Sequence, residues 1–477
     1  MTQRTDTYVS PLESRYASKA MRELFGEQRK FSTWRRLWLA LAEAQHELGL
    51  AVTTGQIEQM REHLDDIDFP AAADYERKLR HDVMAHIHTF GDAAPLARPI
   101  IHLGATSQYV VDNTDQLLMR EAMETLIGYL ANIADALGQF ARKHRDLPCL
   151  AFTHYQPAQM TTVGKRACLW AADFIRDLRE LEYRIGTLEF RGVKGTTGTQ
   201  ASFLALFHGD HAKVKELEKR VAAKMGFGHV ACVTGQTYSR KIDAAIAASV
   251  GNIGASVHKF ANDVRLLANL KEMEEPFEAS QVGSSAMAYK RNPMRCERAT
   301  GLARYLMDIS VSPMHTAAEQ WFERTLDDSS NKRLAIPEAF LLADSILQIV
   351  LNVSQGLVVY PATVAAHVAA ELPFMATENI LMAAVEAGGD RQELHERIRR
   401  HSQAAAEQVK MHGRSNDLLD RLREDDAFAG LDIDAILKPS DFIGRSPQQV
   451  DEFIEAEVQP VRQKYAHVLG RQTELKV

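Results

Sequence analysis

The chain has 477 residues, of which 45% are hydrophobic and 25% are charged, a composition typical of globular proteins. A chain of this length is too long for one compact core, so we expect two to four domains. The formal net charge of −7 excludes the strongly basic character that nucleic-acid binding usually requires, so no nucleic-acid partner is expected.

Targeting and redox signals favour a cytoplasmic protein. No apolar run approaches the roughly 20 residues needed to cross a bilayer. The first six residues, Met-Thr-Gln-Arg-Thr-Asp, lack the apolar core of a secretory signal. The four cysteines, at positions 149, 168, 232 and 296, are scattered without a C-x-x-C pair. This pattern predicts reduced thiols without a disulfide framework or a zinc site, and we expect no membrane partner.

The N-terminal part, residues 1–106, is predicted to form short helices. One apolar stripe with helical spacing ends at Gly49, a residue type that suits a helix C-terminus. Thr53 and Gln56 have the spacing of a capping box, so we expect the next helix to begin there.

The centre of the chain, residues 107–359, is dominated by long helical patterns. Apolar residues alternate spacings of three and four along three runs, which keeps one apolar seam over many helical turns. Two further helices are predicted after them, with Pro337 in the first turn of the last one, where its missing N–H costs little. The five predicted helices lie near 119–140, 163–188, 242–267, 296–322 and 333–356.

From about residue 360 to the end, short helical patterns are broken by proline and glycine. The best strand signal in the chain is the short run 356–360. Five long helices predict an all-α fold with an extended bundle, and flanking segments this small would leave much of its apolar surface exposed. We therefore expect several copies of the chain to associate.

The most informative polar stretch is residues 283–298, which read Gly-Ser-Ser-Ala-Met-Ala-Tyr-Lys-Arg-Asn-Pro-Met-Arg-Cys-Glu-Arg. A glycine before two serines lets the backbone bend and present the hydroxyls at a loop tip. Four cations follow in a chain whose net charge is negative, which favours an anionic small molecule over a nucleic acid as the ligand. A solvated polar loop is the simpler alternative, but it does not account for this combination of residues.

The stretch resembles the signature loop of the fumarase/aspartase superfamily, whose pattern is G-S-S-x-M-P-x-K-x-N-P, and its longer form is similar to that of the adenylosuccinate lyase family of animal type. The chain departs from the pattern at Ala288, where the superfamily has proline. Alanine there predicts a more mobile loop whose chemistry is intact. Further blocks similar to this family follow in family order over nearly the whole chain, at 10–16, 79–86, 102–107, 153–159, 234–237 and 321–329.

The resemblance implies an all-α, three-domain fold whose central five-helix bundle assembles into a homotetrameric helical core. The domains would be an N-terminal helical domain at 1–106, the bundle at 107–359 and a C-terminal helical domain at 360–477. The resemblance also implies elimination of fumarate from adenylosuccinate, giving AMP, and from succinylaminoimidazole carboxamide ribotide, giving AICAR. No cofactor is expected, and each active site would combine residues of three subunits.

The resemblance also assigns the acid and the base. His154 would hold the proton for the departing amine, because histidine titrates near neutral pH. Ser284 would remove the C–H proton as an alkoxide stabilised by Lys290, although spacing alone does not separate Ser284 from Ser285. Glu297 would accept from the other ring nitrogen of His154. A surface ion pair between Glu297 and a neighbouring arginine is an equal alternative.

A substrate with one phosphate and two carboxylates needs several fixed cations, and arginine is favoured for its forked donors. Any single arginine taken alone is explained more simply as a surface ion pair, but cations in separate family blocks favour a common site. By match to the family, the substrate-binding residues are Arg15, Tyr16, Arg80, His81, Asp82, Thr106, Ser107, Thr153, Gln236, Asn292, Arg298, Arg324, Ser329 and Arg333.

Other interpretations of the motifs are weaker. The histidines at 81, 86 and 88 lack the cysteine or acidic partners that would complete a metal site, so no metal is expected. The glycine-rich run 192–198 lacks the spacing of a phosphate-binding loop and predicts a flexible turn. The activities of argininosuccinate lyase, fumarase or aspartase, and a scaffold protein without activity, are the alternatives to be tested.

Overall fold

The computed structural model describes residues 6–278, 281, 286–287, 289–473 and 475. This part of the chain is predominantly helical, and its four short strands form two antiparallel pairs. The fold class is therefore the all-α class that the sequence predicts.

The N-terminal part packs short helices around one longer helix, α2. Ser18 caps the first helix by accepting a hydrogen bond from the Met21 amide. Gly49 follows the end of α2 with a φ of +89°, and the capping box of Thr53 and Gln56 is present, so both predicted boundaries are confirmed. After a π-helical turn at Leu12–Tyr16, the helices are α1 (Lys19–Leu24), α2 (Glu27–Glu47), α3 (Thr54–Glu62), α4 (Phe69–Leu79) and α5 (Asp82–Ala93).

The central part contains the longest helices, and the three apolar stripes of the sequence each fall on one of them. The helix α6 packs against α7 and α13, and α10 packs against α7, α11, α12 and α13, which forms the bundle. The elements are α6 (Ser107–Lys143), β1 (Pro148–Thr153), β2 (Gln156–Thr162), α7 (Val163–Thr187), α8 (Ala201–Leu206), α9 (His211–Lys224), α10 (Lys241–Asn269), β3 (Met273–Glu274), α11 (Met294–Ile309), α12 (Ser312–Ala318), α13 (Asp327–Gly356) and β4 (Val358–Val359).

The C-terminal part consists of shorter helices, as its proline and glycine content predicts. Turns of 3-10 helix lie at Asp426–Phe428, Pro439–Phe442 and Ala466–Val468, and a π-helical turn lies at Ile454–Val458. The helices are α14 (Pro361–Met375), α15 (Thr377–Glu386), α16 (Arg391–His412), α17 (Leu418–Arg423), α18 (Ile433–Ile436), α19 (Ser446–Phe453) and α20 (Gln459–Lys464).

Two helix boundaries differ from the predicted ones. The region predicted as one helix near 296–322 is broken between α11 and α12, at residues 310–311. The helix α13 begins at Asp327, six residues earlier than predicted, so Pro337 lies inside it and not in its first turn. That prediction was wrong because buried polar contacts of Asp328 and Lys332, which the apolar pattern does not show, extend the helix toward its N-terminus.

The strands were only partly predicted. In the run 356–360, Val358–Val359 forms β4 and pairs with β3, which confirms the strand signal there. The hairpin of β1 and β2, which joins α6 to α7, was not predicted from the sequence. The glycine-rich run 192–198, predicted as a flexible turn, is an ordered loop in which Val193 and Lys194 are buried.

One continuous apolar core joins the N-terminal helices to the bundle, with Trp34, Trp38 and Trp170 as its largest buried side chains. A second core lies within α15 to α18. By length and composition, α13 meets the criterion for a membrane-spanning helix. The helices α14 and α15 would also meet it if they were counted as one bent span. However, 72% of the most apolar window of α13 is buried within the fold. Such burial is typical of a core helix.

Candidate active site

Seven of the predicted substrate-binding residues line one cleft of about 720 Å³, which we call the arginine cleft. It lies where the N-terminal ends of α5, α6 and α13 meet. Helix N-termini present unpaired amides and the positive end of the helix dipole, so this convergence favours an anion. The seven residues are Arg80, His81, Asp82, Ser107, Arg324, Ser329 and Arg333.

The tight connection between α4 and α5 fixes one wall of the arginine cleft. Arg80 ends α4 in the left-handed conformation, with a φ of +55°, and His81 caps α5 by accepting from the Met84 amide. Asp82 accepts from the Val83 amide at 2.8 Å and pairs with Arg333 at 3.1 Å. Burial alone would raise the pKa of Asp82, but the Val83 amide and the Arg333 cation outweigh it and lower the pKa.

A chain of hydrogen bonds fixes a second part of the cleft wall. Arg324 Nη1 donates to Gln236 Oε1 at 3.0 Å, and Gln236 Nε2 donates to Thr106 Oγ1 at 3.3 Å. The Gln236 amide also donates to the Glu323 carbonyl, and a Cβ at Gly235 would overlap that same carbonyl. Only glycine at position 235 lets the two segments lie this close. Thr106 and Gln236 therefore belong to the same site as the seven lining residues.

A second, smaller cleft of about 160 Å³ brings together Arg15, Tyr16 and Arg298. The guanidinium carbon of Arg298 lies 6.0 Å from the centroid of the Tyr16 ring. Arg15 is exposed on the π-helical turn that precedes α1, and Leu475, near the C-terminus, closes one side of this cleft. A single chain thus holds these three residues outside the arginine cleft.

The turn between β1 and β2 carries Thr153 and His154. It is a two-residue turn in which His154 and Tyr155 both have positive φ, +53° and +56°. Two-residue hairpins of this kind normally use Asn-Gly or Asp-Gly, and each non-glycine residue held there costs about 1–3 kcal/mol. The turn leaves the side chains of Thr153 and His154 exposed to solvent.

The signature loop is described only in part. Ser284, Ser285 and Ala288 lie outside the described residues. After them, the exposed Lys290 donates its amide to the Met287 carbonyl, and Asn292 precedes the first turn of α11.

Glu297 is exposed in the first turn of α11, and the Thr300 hydroxyl donates to its carbonyl. The start of this helix is held by Glu275, whose carboxylate accepts from the Arg295 and Cys296 amides at 2.9 Å each. No hydrogen bond joins Glu297 to His154 within the described part of a single chain. The two residues lie on separate elements, and neither lines the arginine cleft.

Sequence patterns missed a set of buried charges next to the arginine cleft. Asp112 and Asp328 both bond Arg240, and Lys332 bonds Asp112. One sequence signal points to them: the polar run 112–116 interrupts the apolar pattern near the start of α6. Gln108, which also lines the cleft, lies one turn before that run.

Of the three histidines at 81, 86 and 88, His81 lines the arginine cleft, whereas His86 and His88 pack against aromatic rings. His86 stacks on Phe31, and burial, followed by the charges of Arg35 and Lys30, lowers its pKa to about 4. His88 stacks on Tyr75. Among the described residues, no group of three or more His, Cys, Asp or Glu side chains has the geometry of a metal site.

The family is decided by comparison with known proteins. A family model described as lyase matches residues 52–307, and a model described as adenylosuccinate lyase C-terminus matches residues 373–453. The chain is 53% identical over 470 residues to a Saccharomyces cerevisiae protein named adenylosuccinate lyase, with 98% of each chain covered.

The chain belongs to the adenylosuccinate lyase family. Other relatives with that name are 54% identical in Schizosaccharomyces pombe, with 95% of each chain covered, and 48% identical in Schistosoma mansoni, with 99% covered. Within the fumarase/aspartase superfamily, this family consists of carbon–nitrogen lyases, so the chain is a lyase.

Solved structures support the fold of this adenylosuccinate lyase family member. A fumarate lyase from Mesorhizobium sp. BNC1 matches with a TM-score of 0.78 and 24% identity, covering 94% of this chain and 100% of the other. The 3-carboxy-cis,cis-muconate lactonizing enzyme from Pseudomonas putida matches with a TM-score of 0.80 and 21% identity, covering 94% and 99%. Both are similar to this chain in fold.

Proposed function

We propose that the protein cleaves the C–N bond of adenylosuccinate to give fumarate and AMP, and that of succinylaminoimidazole carboxamide ribotide to give fumarate and AICAR. The observation that carries the proposal is the arginine cleft. Three helix N-termini and three arginines, Arg80, Arg324 and Arg333, converge there on a cleft of about 720 Å³, an arrangement that suits an anionic ligand. The family membership of the chain supports the same activity.

Substrate binding would use the two clefts for different parts of the polyanion. Arg324 is held by Gln236, and Arg333 by Asp82, so both guanidinium groups are aligned before the ligand arrives. Arg15, Tyr16 and Arg298 would come from the second cleft of another subunit. Thr153 and Asn292 would contact the succinyl part, near the acid and the base.

Chemistry would proceed by general acid–base catalysis. Ser284, as an alkoxide, takes the proton from the carbon beside a carboxylate of the succinyl group, and the electron pair left on carbon becomes the C=C bond of fumarate as the C–N bond breaks. His154 donates its proton to the departing nitrogen. Lys290 would stabilise the serine alkoxide, and Glu297 would orient the imidazole.

The proposed assembly is a homotetramer whose active sites are shared between subunits. Exposed apolar side chains on the bundle support association, because surfaces of this kind are costly in a monomer. Leu334 on α13 is 65% exposed and Met314 on α12 is 58% exposed. The separation of His154 from the arginine cleft within one chain supports composite sites. We also propose domains at 1–106, 107–359 and 360–477, and a cytoplasmic location.

Fumarate release tests the proposal directly. The purified protein is incubated with adenylosuccinate, succinylaminoimidazole carboxamide ribotide, argininosuccinate, malate and aspartate, and product is followed by ultraviolet absorbance. We expect turnover of the two purine-pathway substrates alone. An assembled protein that releases no fumarate from adenylosuccinate would refute the proposed function.

Subunit mixing tests the shared site. The His154→Asn and Ser284→Ala variants are each expected to be inactive. When the two are dissociated, mixed and reassembled, mixed tetramers would contain some sites with both native residues, so a fraction of activity returns. Mixing His154→Asn with itself is the control. Persistent inactivity of the mixture would contradict a composite site.

A further inference from the structure

Next to the arginine cleft lies a buried set of charges that we call the buried ion cluster: Asp112, Asp115, Arg240, Asp243, Asp328 and Lys332. The side chains of Arg240, Asp112 and Asp328 are all 0% exposed. None of these six residues lines the arginine cleft, and none takes part in the proposed chemistry.

The cluster joins the elements that build the cleft. Asp112 and Asp115 belong to α6, Asp328 and Lys332 to α13, and Arg240 ends the segment that carries Gln236. Each of these elements also carries a residue of the arginine cleft, close in sequence to its cluster residues. Gln108 is one turn before Asp112 on α6. On α13, Ser329 follows Asp328 and Arg333 follows Lys332 directly.

Arg240 is the residue that bridges the two helices. Its Nη2 atom lies 2.9 Å from Asp112 Oδ1 and 2.6 Å from Asp328 Oδ2, and its Nε atom donates to Asp328 Oδ2 at 2.7 Å. A guanidinium makes these contacts from a rigid planar fork, whereas a lysine ammonium is a single point on a flexible stem. Replacement by lysine keeps the charge but removes the fixed distance between α6 and α13.

Hydrogen bonds extend this bridge to the loop that carries Gln236. The Tyr238 amide donates to Asp112 Oδ2 at 3.0 Å, and the Tyr238 hydroxyl donates to Asp243 Oδ1 at 2.5 Å. Arg191, also fully buried, donates from Nε to the Gln236 carbonyl at 2.9 Å. Asp112 thus orders both the bridge and the loop whose glutamine holds Arg324.

Stability alone is a weak reason for so many buried charges. The desolvation of two buried charges offsets much of the free energy gained from their attraction. Apolar side chains of similar size often give a core of equal or greater stability. Buried ionic groups are best explained where they fix one arrangement of neighbouring elements. Here the arrangement that they fix is the convergence of two helix N-termini on the arginine cleft.

We propose that Arg240 is a positioning residue for substrate binding: it holds the N-terminal ends of α6 and α13 at the separation that an anionic ligand requires. This inference rests on the proposed function, because it takes the arginine cleft as the site of the nucleotide. The loss of the bridge should weaken binding of substrate and product together and change the chemical step less, because His154 and the signature loop lie on other elements.

The test compares two buried arginine-to-lysine changes. Arg240→Lys removes the bridge. Arg35→Lys is the matched control, because Arg35 is also buried and pairs with Asp66 at 2.9 Å, away from the cleft. For each variant we measure the melting temperature, the KM and kcat for adenylosuccinate, and the inhibition constant of AMP. We expect Arg240→Lys to raise the KM and the AMP constant in parallel by about tenfold, with kcat within about threefold of wild type.

The outcomes separate the alternatives. Equal rises in KM for Arg240→Lys and Arg35→Lys, or an Arg240→Lys protein with the KM of wild type, would overturn the inference. Should Arg240→Lys fail to fold, Asp115→Asn replaces it, because Asp115 is 30% exposed and forms an ion pair with Lys332 of the cluster at 2.5 Å. For Asp115→Asn, a KM about threefold higher than that of wild type supports the proposal, and a KM equal to that of wild type refutes it.

Failure of the proposed function itself would look different, because the wild-type protein would then release no fumarate. In that case calorimetric binding of AMP to wild type and to Arg240→Lys takes the place of kinetics. Weaker binding to the variant supports the positioning role, and equal binding refutes it.

Discussion

His154 occupies a backbone conformation that most residues avoid, in a turn that leaves its side chain exposed. Both central residues of the β1–β2 turn have positive φ, and neither is glycine or asparagine. The ring of Tyr155 packs against that of Phe152, while the imidazole of His154 points to solvent. An exposed imidazole on this turn fits the proposed role of His154 as the acid.

Replacement of His154 separates chemistry from folding. We expect His154→Asn to lower kcat by about 10²- to 10⁴-fold, the usual contribution of a general acid, because asparagine tolerates positive φ but carries no titratable proton. The melting temperature should not fall, since the side chain is exposed. Kinetics with adenylosuccinate and thermal melting provide the measurement.

His208 supplies the matched control for that experiment. It is also an exposed histidine, with a φ of +53°, and it lies in the connection between α8 and α9. His208→Asn should leave kcat unchanged. Equal losses in the two variants would show that the effect comes from the backbone and not from the imidazole.

At the scale of elements, the packing of α2 against α5 and the 97–105 region depends on two neutral histidines. His86 stacks on Phe31 of α2, with ring centroids 3.6 Å apart. His102 Nδ1 accepts a hydrogen bond from Trp38 Nε1 at 2.9 Å, which a doubly protonated ring could not do. Burial lowers the pKa of each to about 4, with Arg35 and Lys30 adding to the effect at His86 and His81 at His102.

These pKa values predict a loss of stability in mild acid. Between the ordinary histidine pKa of 6.5 and the folded value of about 4, the unfolded chain binds more protons than the folded one. The stabilisation is therefore complete above pH 6.5 and falls as the pH drops toward 4, by at most about 3 kcal/mol for each histidine. The melting temperature should decrease over this interval.

A variant isolates the contribution of one histidine. His86→Phe keeps a stacked ring but removes the titration, so the fall in melting temperature between pH 6.5 and 4.5 should be smaller than in wild type. His208→Asn, changed at an exposed position, should follow the wild-type curve. Identical pH dependence in all three proteins would contradict the assignment.

At the scale of the whole molecule, the apolar side chains left exposed on the bundle are the feature that a single chain does not explain. Leu334 lies next to Arg333, on the α13 turn that follows the arginine cleft, and is 65% exposed. A side chain of this size gains roughly 1.5–3 kcal/mol when it is fully buried. Burial in a subunit interface would therefore contribute to assembly.

A charge at that position tests the interface. We expect Leu334→Glu to reduce the molar mass measured by light scattering from that of the proposed tetramer, and to abolish activity because the proposed composite sites need neighbouring subunits. Met411→Glu, on the 74% exposed Met411 of α16, is the control and should stay assembled and active. A Leu334→Glu protein that remains tetrameric would exclude this face from the interface.

Much of this architecture follows from periodicity in the sequence. The stripes along α6, α7 and α10 specify long helices wherever they pack, because the spacing of three and four places apolar residues on one face. Capping residues such as Thr53 fix boundaries locally. Similarity to family motifs likewise predicted Arg324, Arg333 and Gln236 as site residues, because each of these motifs can be recognised by itself in the sequence. The fold brings the three residues to one cleft.

The sequence alone did not determine which buried charged residues pair with each other. Arg240 is 128 residues from Asp112 and 88 from Asp328, so no local pattern predicts their contact. The same buried contacts set the start of α13 and moved Pro337 into its interior, and the unpredicted β1–β2 hairpin set the position of His154. These features depend on long-range pairing in a low-dielectric interior, which exists only once the helices have packed.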